Sequence, residues 1–142
     1  MMKRLMMAAA LAAAGTLADE TADGLVSGAV TAYDAGPAVT VVRGSAFADC
    51  RALEVVRAAS AGEVGQMAFR GCVALREVYL PACTNGLPAS VFAGCPRLEV
   101  VELPLVTLAA AKASGLPWQT PARSVVFRLA DGNYDRNGKK LD

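Results

Sequence analysis

The chain has 142 residues, enough for one domain. Its 14 basic and 13 acidic side chains leave a net charge of +1, so no global field points to nucleic acid or to an acidic surface. Of the 77 apolar residues 29 are Ala, isoleucine is absent and there is no histidine; any core must be thin and repetitive, and Ser-His or Cys-His dyads, His-containing zinc sites and imidazole acid/base chemistry are all excluded.

Residues 1–24 differ from the rest. Met1-Met2-Lys3-Arg4 is positive, Leu5 to Ala14 carries no polar side chain, and Thr16-Leu17-Ala18 precedes Asp19-Glu20. This is the layout of a secretory signal cleaved after Ala18. It also reads as an Ala-rich helix capping the folded domain, because Ala and Leu are the best helix formers. The apolar run is too short to span a bilayer. Residues 25–142 form the second unit.

From Leu25 to Val42 the pattern is that of a degenerate first repeat, with turn signals at Asp34 and Ala35-Gly36-Pro37. Three nearly full copies then occupy residues 38–104. Ala46-Phe47, Cys50 and Leu53 recur as Ala68-Phe69, Cys72 and Leu75, and Val91-Phe92, Cys95 and Leu98 follow. Each copy continues into an alternating stretch: Val56 and Ala58, Val78 and Leu80, Val101 and Leu103. The last two copies end in Pro81 and Pro104, where the first has Ala59, a change expected to weaken its strand end. Val42, Val64 and Leu87 each stand five residues before the Phe.

The cysteines Cys50, Cys72 and Cys95 are 22 and 23 residues apart, so one structural position is visited three times. Phe, Cys and Leu at i, i+3 and i+6 share one side of a short helical turn, and the alternating residues that follow make a short strand. Such a unit cannot bury its apolar side alone. It must stack on its copies as a solenoid with parallel strands on one face and short helical turns on the other. Phe47, Phe69 and Phe92 then form one internal column and the three cysteines another. Beyond the repeats, residues 105–142 read as a C-terminal cap, in which Leu116 and Trp118 plug the Phe column and Val125, Phe127 and Leu129 add a strand before a turn at Asp131-Gly132.

The unit A-F-x-x-C-x-x-L-x-x-V-x-L-P, best seen from Ala68 to Pro81, resembles the BspA-type leucine-rich repeats of bacterial surface and prophage-encoded proteins. The resemblance implies a leucine-rich repeat solenoid, capped at both ends. It further implies a closing segment in which a Pro-Trp pair precedes a strand and an Asp-Gly turn, matched by Pro117-Trp118 and Asp131-Gly132. A non-enzymatic protein that binds a protein or glycan through its outward strands follows from the same resemblance, and a prophage-derived structural or tail-associated protein is the alternative. Secretion or display on the cell surface is slightly favoured over a cytoplasmic or virion-associated location, and no membrane span, nucleic acid or cofactor is expected.

The strand alternation places Arg57, Tyr79 and Glu102 in one outward row and Val55, Glu77 and Val100 in the next; these six are the candidate binding residues. Cys50, Cys72 and Cys95 are expected as buried thiols that pack like small hydrophobes, while Cys83 has no repeat partner. Their wide spacing argues against a metal site. Asp131, Asn133, Asp135 and Asn137 place oxygens at alternate positions as a calcium loop does, but Arg136 stands where that loop needs Gly, so a solvated turn is expected. Glu54, Arg76 and Glu99 share one repeat position, and no carboxylate pair is placed for acid/base catalysis.

Overall fold

The computed structural model describes residues 31–35, 37–84 and 86–141. Residues 1–30 lie outside the described residues, and with them the choice between a signal and a capping helix over 1–24 and the first residues of the degenerate repeat.

The chain winds into a strand-rich solenoid of about four turns. One face is a six-stranded sheet built from β1 (Ala32–Ala35), β3 (Val55–Ala58), β5 (Glu77–Tyr79), β6 (Val100–Leu103), β7 (Val126–Leu129) and β8 (Gly132–Tyr134), in that order. The first five are parallel, and β8 folds back antiparallel on β7. A second, two-stranded parallel sheet joins β2 (Val41–Val42) to β4 (Glu63–Val64). Parallel pairing of consecutive strands is what a repeated strand-and-turn unit demands, since each strand restarts in the same direction after one circuit.

Register follows the repeat. Tyr33, Val56, Val78, Val101 and Phe127 lie opposite one another across five strands, all buried. The Val side chains fill the middle of this row and the larger rings of Tyr33 and Phe127 its two ends. Between the walls stands the aromatic column: Phe47 and Phe69 are nearly parallel at 5.2 Å between centroids, and Phe69 and Phe92 at 5.8 Å. Coils about 4.8 Å apart impose that spacing, and the rings offset to meet it. The ends are closed edge-on or tilted, by Tyr33 against Phe47 at one end and by Trp118 and Phe127 at the other. Trp118 plugs the column as expected, and its indole N–H donates to Ser114 Oγ at 3.1 Å; Leu116 packs beside it, partly buried.

The wall of turns corrects one expectation: residues 45–53 and their copies form no helical turns. Amide N–H groups there alternate in purpose. Those of Ala46, Ala48 and Cys50 donate three residues back, whereas those of Ser45, Phe47 and Asp49 donate to Gln66, Ala68 and Arg70 of the next coil. A helix would aim every N–H along its own axis; here half are spent on the neighbouring coil. The alternation is obtained by left-handed backbone at Ser45, Asp49, Met67, Gly71 and Gly94. Phe, Cys and Leu still face inward together, because successive turns also return the chain every third residue.

Two smaller departures concern the first coils. Asp34 is not in a turn but in β1, opposite Arg57. Strand β3 runs through Ala58, which pairs with Ala35, so Ala59 in place of Pro does not shorten it. In the cap, a short helix α1 (Leu108–Ser114) was not anticipated; Thr107 accepts a hydrogen bond from Ala110 N–H at its start and Gly115 ends it.

Candidate functional site

The outward face of the parallel strands carries the candidate residues in two rows. Register sets Arg57 beside Tyr79 and Tyr79 beside Glu102, and it sets Val55 beside Glu77 and Glu77 beside Val100. The first row is longer than sequence reasoning found, with Asp34 before Arg57 and Arg128 after Glu102. Asp34 stands one repeat period before Arg57, a usable signal that its poor strand propensity obscured. Arg128 follows an irregular coil, so no period pointed to it.

The polar groups of this face are largely organised by one another. The Arg57 guanidinium lies over the Tyr79 ring at 5.0 Å, within the range of a cation–π contact. Tyr79 O–H donates to Glu77 Oε1 at 2.6 Å. That hydrogen bond holds the phenol above its ordinary pKa, with desolvation and the Glu77 charge adding to the effect. Arg128 pairs with Glu102 at 3.5 Å. One step along, Arg76 reaches Glu54 at 3.5 Å and Glu99 at 3.9 Å, so the shared repeat position becomes a three-coil charge ladder. Among the described residues, Arg57 alone of the three strand-face arginines has no carboxylate partner. An open cleft of about 260 Å³ adjoins it, lined by Asp34, Arg57, Ala58, Ala59, Tyr79 and Pro81. Its floor of small apolar groups, with an aromatic ring, a guanidinium and the Asp34 carboxylate beside it, can stack on and hydrogen-bond a ligand.

The cysteines lie elsewhere, inside the solenoid. All four are free and buried. Cys72 Sγ donates to Phe47 O at 3.0 Å and Cys95 Sγ to Phe69 O at 3.0 Å. Thr120 continues this polar row, donating to Cys95 O at 2.8 Å. Cys83 does have repeat equivalents: its N–H closes a turn onto Leu80 O as Ala61 does onto Ala58 and Val106 onto Leu103. Its thiol donates to Ala61 O at 3.2 Å. Burial pushes the Cys83 thiol up to about 11 and the Cys95 thiol up to about 12; a hydrogen bond with Cys50, together with burial, raises Cys72. These are neutral thiols at pH 7 and poor nucleophiles.

The tail carboxylates serve the backbone. Asp131 accepts from Leu108 N–H at 3.1 Å, capping α1, and Asp135 Oδ1 accepts from Asn137 and Lys139 N–H. Among the described residues there is no cluster of three side chains able to hold a metal ion, and no helix is long and apolar enough to cross a membrane. No family model, no curated protein and no solved structure matches the chain.

Proposed function

We propose that the protein is a binding module of the BspA-type leucine-rich repeat kind, non-enzymatic, which recognises a protein or glycan through the outward face of its parallel strands. The repeat unit supports the assignment of type, and its fixed Phe, Cys and Leu positions are the residues that build the core. One observation carries the functional reading. Asp34, Arg57, Tyr79, Glu102 and Arg128 stand side by side on five adjacent strands, with a cleft at Arg57, the arginine of the row that no carboxylate holds among the described residues. A rigid sheet presents such a row with little ordering cost on binding.

The test is a binding screen of the folded chain against extracellular-matrix proteins and a glycan array, with Tyr79→Ala and Arg57→Glu as site variants. Loss of the strongest signal in both variants, at unchanged thermal stability, is the expected result. Equal binding by both variants moves the site off the strand face.

A further inference from the structure

The two walls of the solenoid differ in charge. The strand face carries the five carboxylates and three arginines described above. The wall of turns, formed by residues 43–53, 65–75, 88–98 and 118–124, carries Arg43, Arg51, Arg70, Arg97 and Arg123 against a single acidic residue, Asp49, for a net charge of +4. All five arginines are exposed, and among the described residues none is in an ion pair. A near-neutral chain has thus been sorted into a basic wall and an acidic one. The five stand at different positions of the repeat, spread over four successive coils, so the positive charge covers this wall as a whole.

A second observation falls on the same wall. Among the described residues, Met67 and Val73 are two of four large apolar side chains left in water, 37% and 45% exposed. They flank Arg70 on the middle coil, and Val73 occupies the position that Arg51 holds one coil earlier. Apolar side chains at the centre of a patch and arginines around them are the chemistry of a peripheral membrane face: the guanidinium groups meet headgroup phosphates and the apolar pair enters the acyl boundary.

We propose that the wall of turns docks on a bilayer containing anionic lipid, which leaves the strand face turned away from the membrane and free for its own ligand. This reading stands whether or not the strand face binds anything. A polymer of sulfated sugar would be served by the arginines alone; Met67 and Val73 add a gain against lipid that they do not add against such a polymer.

The experiment is co-sedimentation of the full chain with vesicles of phosphatidylcholine containing one-third phosphatidylglycerol, with pure phosphatidylcholine vesicles and heparin–agarose as the other arms. Binding to the anionic vesicles is expected, falling at least about tenfold when salt rises from about 0.1 to about 0.5 M. The Arg51→Glu, Arg97→Glu double variant should bind at least about tenfold more weakly, and Met67→Ser, Val73→Ser several-fold more weakly, whereas Arg57→Glu on the strand face should bind as the parent does. Circular dichroism melts establish that each variant is folded; Arg51→Gln, Arg97→Gln replaces the charge reversal if that variant melts early. Equal sedimentation with pure phosphatidylcholine overturns the proposal, as does retention of binding in the double variants. Retention on heparin without binding to anionic vesicles overturns it too, and assigns the wall to a polysaccharide.

Discussion

Replacing Phe69 by Ala removes the central ring of the aromatic column. The side chain is fully buried and is stacked on both faces, by Phe47 at 5.2 Å and by Phe92 at 5.8 Å. A buried Phe→Ala change costs about 3–5 kcal/mol. Both ring contacts are lost together, each worth about 0.5–1.5 kcal/mol beyond area burial, so the upper end of the range applies, about 4–5 kcal/mol. The cavity also cannot collapse easily, because hydrogen bonds between coils fix the coil spacing on both walls. Against a total stability of about 5–15 kcal/mol for a domain, that is a large fraction. At about 4 °C per kcal/mol it lowers the melting midpoint by roughly 15–20 °C. Urea denaturation of parent, Phe69→Ala and Phe69→Leu measures it, with the Leu variant losing markedly less. An Ala variant that unfolds within about 1 kcal/mol of the parent would refute the column.

Close approach of coils gives a second prediction. A Cβ at Gly65 would be driven into the backbone of Gly44 in the preceding coil, while one at Gly62 meets only Ala82 O at 3.8 Å. Gly65→Ala should therefore destabilise by about 1–3 kcal/mol and Gly62→Ala should leave the denaturation midpoint nearly unchanged. The thiols give a third. In the native protein Ellman's reagent should react with none of the four cysteines rapidly, and with all four after denaturation; rapid native release would show that the thiol row is open. Because Cys83 and Cys95 are raised in the folded state, from about 9 to about 11 and about 12, the unfolded chain ionises first as pH rises. Their contribution to stability is fully present below pH 9 and is lost progressively between pH 9 and 12, so melting midpoints recorded across that window should fall.

The periodic part of this architecture was legible because a solenoid core makes each coil repeat its inward residues: Phe47, Phe69 and Phe92 could be placed in one column from spacing alone. What periodicity does not reach is what breaks the period. Tyr33 closes the column from a strand position that holds Val in the next three coils, so no repeated Phe announced it. Cys83 looked solitary because its equivalents are Ala61 and Val106, residues alike in size class and unlike in name. Phe, Cys and Leu three apart suited a helical turn, and only the competition of the neighbouring coil for alternate N–H groups decides for left-handed turns. On the strand face, the rows of Arg57, Tyr79 and Glu102 and of Val55, Glu77 and Val100 were readable, whereas the pairings among them depend on side-chain reach that spacing does not encode.

The coil-to-coil hydrogen bonds of the turn wall have a mechanical consequence. They run along the same direction as the sheet's own bonds, so a pull that separates the first coil from the last loads every rung in series. Under such tension the molecule parts at its weakest rung and peels one coil at a time. A pull along a strand instead shears a whole set of bonds together. The solenoid is a soft spring lengthwise and a stiff plate across.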